Sequence, residues 1–281
     1  MKIWVIATLT LQESLRRRAL LGAVLLTLAF LALFGYGSST AFREISTNPL
    51  LPADTRTIVT GEILLAGLYG VANIGALLAI FVAVGTIATE VEEGTLHAIV
   101  PRPLNRWEIV LGKWLGLAIM VSVYVVVTGL AACLIVYYLS GYISAYLVTG
   151  LLLIALKALI LLSISMLFST FLPALTSGII AFILYAVSNV TGMVEQFGHL
   201  IRNQTLIDIG IITSLVIPSD AIWKMAASQI QPPAVNLLTS LRVGGVFSVV
   251  NPPSVWMALY ALVYLVAALG GALLIFQRRD L

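Results

Sequence analysis

Charge is what this chain has least of. Asp, Glu, Lys and Arg make up 10% of its 281 residues, whereas 60% are hydrophobic. A soluble domain carries about 25% charged residues to cover its water-facing surface, so the shortage excludes a soluble globular protein. Cysteine is nearly absent too: Cys133 stands alone, inside an apolar run. One thiol excludes a disulfide framework or a thiolate metal site within a single chain, and Cys133 reads as a small buried hydrophobe. No small-x-small cleavage site follows the first apolar run, so the first helix is expected to be retained. The net charge of +3 is small and its bases gather in loops, which fits membrane topology and argues against a nucleic-acid partner.

What is abundant is long apolar sequence. At about 20 residues per crossing, the length fits six membrane helices. The runs fall at 19–36, 63–88, 109–138, 147–168, 175–190 and 254–276. The expected fold is an all-α polytopic membrane protein. Gly67, Gly70, Gly75, Ala79 and Ala83 mark the second crossing as one that neighbours approach closely. Asn48-Pro49 and Pro52 break the polar stretch before it, and Pro173 separates the fourth and fifth crossings in a tight hairpin. Tyr137, Tyr138, Tyr142 and Tyr146 around Gly141 read as an aromatic belt at a short turn.

Two segments do not cross. In residues 2–18, Ile3, Ala7, Leu11 and Leu15 recur every four residues with Trp4 beside them. This pattern predicts an amphipathic helix in the membrane interface. Residues 191–254 form the other segment. Its apolar piece, 207–217, is too short to cross and contains Asp208, which suggests a re-entrant or interfacial helix. Pro218-Ser219-Asp220 then reads as a helix start, with Asp220 as a cap. The inner segments hold nine bases and the longer outer segments five. Positive-inside therefore puts both termini in the cytoplasm and 191–254 outside.

The longest polar interruption between two apolar runs is Thr89 to Trp114, and it holds Glu90, Glu92 and Glu93. A helix continues to Val100, the residue before a proline. Pro101-Arg102-Pro103 makes a stiff turn. Asn105 and Glu108 fit a capping box that starts the next helix. Such a loop, joined rigidly to two crossings, can pass a push from outside the bilayer to the helices within it.

At these residues the chain resembles the type-2 ABC exporter permeases. The resemblance rests on Glu92-Glu93-Gly94-Thr95-Leu96, Pro103-Leu104-Asn105-Arg106 and Glu108-Ile109-Val110-Leu111-Gly112-Lys113. Asn105 stands where many members have Ser, and both residues cap helices. The nearest flavour is the group that includes the maturation permease of nitrous-oxide reductase operons. The resemblance implies a single membrane domain over 1–281 that pairs with a second copy or a sister permease. Two separate cytoplasmic ATPase subunits, which bind the ATP and Mg, would grip the coupling loop at 89–106. The implied contacts are Glu90, Glu92, Glu93, Gly94, Thr95, His97, Arg102 and Arg106. This chain has no Walker A motif: Trp114, not Ser or Thr, follows Gly112-Lys113. The importer loop, with Glu-Ala-Ala and a spaced glycine, is also missing, which favours export.

Lys157 stands near the middle of the fourth crossing, where a lysine costs about 2.5–3.5 kcal/mol. It is the lone candidate for the substrate pathway, against an interhelical or snorkelling role. No acid on another crossing is expected to pair with it. Glu195 and His199 lie one helical turn apart, but two ligands make a weak metal site, and a solvated helix end is expected. An intramembrane enzyme would need HExxH, paired mid-helix acids or a Ser/His pair; none is present, and no catalytic residue is assigned. A third reading is an assembly subunit that passes ATPase motion to an extracytoplasmic protein without transport. Membrane lipids are the remaining expected partners.

Overall fold

In hydrocarbon no water is available to take up a free N–H or C=O, so a chain this apolar closes its backbone hydrogen bonds within helices. The computed structural model describes residues 2–16, 18–47, 53–92, 105–232, 247, 249 and 251–278. Every regular element among them is a helix. α1 (Lys2–Leu15) leads into α2 (Arg18–Thr47) and α3 (Ala53–Glu92). α4 (Arg106–Ser140), α5 (Leu147–Ser169) and α6 (Ala174–Ile201) follow. Two short helices, α7 (Gln204–Val216) and α8 (Ser219–Ile230), precede α9 (Val255–Arg278).

Among the described residues, α2 to α6 and α9 are the six helices long and apolar enough to cross a membrane. These are the six runs expected from sequence. α7 and α8 bend by 106° against each other, as a broken span or a re-entrant hairpin does. One end of the bundle holds α1, the start of α2 and the junction from α3 to α4. The other holds the α4–α5 turn and the α7–α8 hairpin.

Several helices run further than their apolar cores. α2 continues to Thr47 because its polar residues bond their own helix: Ser38, Ser39 and Thr40 donate to the carbonyls of Phe34, Tyr36 and Gly37. Such back-bonding lets hydroxyls sit in a helix without breaking it. α6 continues past 190 to Ile201 and stops at Arg202, whose φ of 59° is left-handed. At the α4–α5 turn, Gly141 takes φ 70° and its N–H donates to the Tyr137 carbonyl, the geometry a glycine adopts without penalty. Asn48, Pro49 and Pro52 lie outside the described residues.

α3 and α5 are the central helices, each with 67% of its apolar span buried, against 6% for α2. Leu65, Leu68 and Val82 of α3 pack with Leu117 and Val121 of α4, Leu162 of α5 and Ile230 of α8.

α1 packs against α4, and its predicted stripe divides between protein and lipid. Its buried face is Ala7, Thr10 and Ser14, while Trp4, Val5, Leu9 and Leu15 stay exposed. The reason lies on α4. A Cβ at Gly112 would meet Ile6 at 2.7 Å, and one at Gly116 would meet the Ala7 carbonyl at 2.5 Å. Two glycines four residues apart bring the backbones close, leaving room for Ile6 at Gly112 and for the Ala7 backbone at Gly116. Trp4, Val5, Leu9 and Leu15 are thereby left for lipid. Gly116→Ala should cost about 1–3 kcal/mol by overpacking this contact. Gly22→Ala, where nothing lies within 4 Å, should stay within about 1 kcal/mol of the parent. Thermal unfolding in detergent micelles measures both.

Candidate functional site

The end of α3 and the start of α4 are tied to each other and to neighbouring helices. α4 starts as its sequence predicts: the Asn105 N–H donates to the Glu108 carboxylate at 3.0 Å, one half of the capping box. The Arg106 guanidinium donates to the Gln277 carbonyl at the end of α9, at 3.5 Å. Two helical turns further, Lys113 turns into the bundle. Its side chain is buried and its ammonium donates to the Thr86 carbonyl of α3 at 2.9 Å.

α3 receives a second side chain at the same level. The fully buried Ser169 hydroxyl, at the end of α5, accepts from the Ala88 N–H at 3.1 Å and donates to the Val84 carbonyl at 3.0 Å. Those two groups form one i→i−4 rung of an uninterrupted helix. A side chain inserted at a rung is one of the few recognised causes of helix bending. The last turns of α3 are therefore tied to α5 through Ser169 and to α4 through Lys113. Of the residues expected to meet an ATPase, Arg106 lies on the first turn of α4, and Glu90 and Glu92 lie on the last turn of α3. Glu93, Gly94, Thr95, His97 and Arg102 fall outside the described residues.

A second polar constellation lies deeper. Lys157 is completely buried at mid-bundle. Its ammonium sits 5.6 Å from the ring centroid of Tyr185 on α6 and 6.0 Å from that of Trp223 on α8, within cation–π range. Among the described residues its Nζ has no hydrogen-bond partner. Tyr185 donates to the Asn73 side-chain carbonyl on α3. Trp223 meets Tyr69 edge-on at 5.1 Å. The acid that acts electrostatically on Lys157 is Asp220, from the hairpin and not from another crossing.

Asp220 belongs to a chain of charges. Its carboxylate lies 2.9 Å from the Lys224 ammonium, which lies 2.7 Å from the Glu195 carboxylate on α6. His199 Nε2 is 3.9 Å from the other Glu195 oxygen, and its Nδ1 is 3.3 Å from the Asn251 amide. Two glycines make room. A Cβ at Gly192 would meet Asp220 at 2.0 Å, and one at Gly210 would meet Glu195 at 2.3 Å. The Ser188 and Ser219 hydroxyls, 2.9 Å apart, join α6 and α8 beside them.

This corrects two expectations. Glu195 and His199 are not a solvated helix end, because α6 runs on to Ile201 and α8 folds back across it. Asp220 is not the cap of α8, whose N-cap is Pro218; its carboxylate serves Lys224. Sequence reasoning missed Lys224, Ser169 and the packing role of Lys113. The available signals were the i,i+4 spacing of Asp220 to Lys224 and the glycines at 192 and 210.

Buried charges are costly to leave unpaired. Lys224→Met would strand two carboxylates, at about 3–5 kcal/mol. Lys224→Met combined with Asp220→Asn and Glu195→Gln removes the charge together with its partners and should recover most of that loss. Denaturant unfolding of the three proteins in micelles distinguishes a paired network from three independent side chains.

No curated protein matches this sequence. The family described as ABC-2 family transporter protein matches residues 4–281, nearly the whole chain, including every element of both constellations. With six membrane-spanning helices and that match from end to end, the chain belongs to the ABC-2 family of transporters.

Proposed function

We propose that this chain is the permease subunit of an ATP-driven exporter and that ATP turnover on separate subunits enters it through residues 89–113. The observation that carries the reading is the pinning of α3 at its end. Ser169 bridges one rung and Lys113 holds the Thr86 carbonyl. A displacement of the segment beyond Glu92 therefore loads α4 and α5 together. In this reading both termini and the α3–α4 junction face the cytoplasm, in a plasma or inner membrane. α1 lies in the interface, and the α7–α8 hairpin is re-entrant from the opposite side. Two ABC ATPase subunits, each binding ATP and Mg, dock on Glu90, Glu92, Glu93, Gly94, Thr95, His97, Arg102 and Arg106. A second permease, identical or sister, completes the pathway. Within the family, the nearest function is that of the nitrous-oxide-reductase maturation group.

Lys157 is the pathway residue in this proposal. It is packed against the π faces of Tyr185 and Trp223, so a shift of α8 relative to α5 would uncover a cation at mid-membrane. The ion network favours a second reading on the same machinery: the hairpin, locked to α6 through Lys224, passes motion to an extracytoplasmic protein without transport.

Reconstitution with the ATPase subunits tests the coupling. Glu92→Arg with Glu93→Arg should reduce permease-stimulated ATP hydrolysis by about tenfold and leave the isolated ATPase unchanged; undiminished stimulation would sink the proposed contact. In the same vesicles Lys157→Met should depress export of a cargo by about tenfold and spare ATP hydrolysis. Equal export by parent and variant removes Lys157 from the pathway.

A further inference from the structure

Apolar groove and exposed positive charge meet at one corner of the bundle. α1, α2 and α4 enclose a groove of about 580 Å³ whose walls include Leu11, Leu15, Leu20, Val24, Val123 and Tyr124. Its three lining hydroxyls, on Thr27, Tyr124 and Thr128, are engaged within the protein, that of Thr128 donating to the Tyr124 carbonyl at 2.8 Å. Thr27 is bonded to Tyr124, whose hydroxyl donates to the Ala23 carbonyl at 3.1 Å. The wall thus offers little to a polar ligand and suits an aliphatic chain. α2, its outer wall, is the least buried of the spanning helices, so the groove opens toward lipid.

The charge sits at the groove mouth. Leu15 and Leu20 line the groove and flank Arg16 and Arg18, both exposed, where α1 gives way to α2. α2 has no acidic residue in its first turn, so the positive end of its dipole adds to the arginines. Glu13 is the only acid before Glu44.

We infer that this corner is a binding site for one anionic glycerophospholipid, with an acyl chain in the α1–α2–α4 groove and its phosphate on Arg16 and Arg18. A neutral lipid fills the groove equally well but forgoes the arginines. A headgroup without a tail gains only exposed side chains. The lipid matches both halves of the site, and it braces α1 against α4 beside Gly112 and Gly116.

The test uses the full chain in phosphatidylcholine vesicles doped with spin-labelled phosphatidylglycerol or spin-labelled phosphatidylcholine. With both arginines on the phosphate, the bound fraction should favour phosphatidylglycerol by roughly thirtyfold at low salt. Arg16→Gln with Arg18→Gln should erase the preference while keeping the phosphatidylcholine signal. Val123→Trp, on the exposed wall, should reduce the site-bound signal of both lipids. Inorganic phosphate should not compete. Equal binding of the two lipids by the parent, or a preference that survives loss of both arginines, overturns the inference. So does efficient disulfide cross-linking of Val24→Cys to Val123→Cys between copies, which would make the groove a contact between protomers. None of these readouts depends on ATP hydrolysis, so they stand apart from the coupling proposal.

Discussion

Every polar group placed at membrane depth has to find its partner inside the protein, and the structure of this permease follows from how it meets that demand. Its long helices satisfy nearly all backbone groups locally. Several polar groups also draw a partner from another helix. On α3, the Val84 carbonyl and Ala88 N–H are met by Ser169, and the Thr86 carbonyl by Lys113. On α6, Glu195 is met by Lys224. In each case the partner comes from a different helix, so satisfying the polar group also fixes how two helices lie against each other.

The two constellations are connected through the central helices. α5 carries Lys157 at its middle and Ser169 at its end, about 18 Å apart along the axis. α3 carries Asn73, bonded to Tyr185, and the Ser169-bridged rung. Movement at the α3–α4 end thus has a short, packed route to the ring of Tyr185 and Trp223 around Lys157. The network beyond Lys157 sets two cations, Lys157 and Lys224, against two carboxylates, Asp220 and Glu195. The Lys224 pairs let Asp220 of the hairpin and Glu195 of α6 pack together without stranding either carboxylate.

Local signals made much of this readable in advance. Long apolar runs placed the six crossings, Pro173 placed the α5–α6 hairpin, and Asn105 with Glu108 placed the start of α4. The acids and glycine of the 89–113 stretch carried the family resemblance that the end-to-end match bears out. What stayed hidden depends on contacts between residues far apart in sequence. Nothing near Glu195 announces Lys224, which reaches it only because the chain turns twice between them. Ser169 is an ordinary serine until α5 brings it to α3. The contact of α1 with α4 was hidden as well, because the period of its apolar residues says nothing about Gly112 and Gly116, which the α1 backbone approaches closely.

Entry of motion through the end of α3 is tested most directly by a distance. With Cys133 replaced by Ala, spin labels at Glu92 on α3 and Gln277 on α9 report the α3–α4 junction against a helix tied to the start of α4. In the complex with its ATPase subunits, pulsed EPR should record a shift of about 2 Å or more between the nucleotide-free and ATP-bound states. An unchanged distance distribution in a complex that turns over ATP and exports its cargo would contradict coupling through this junction.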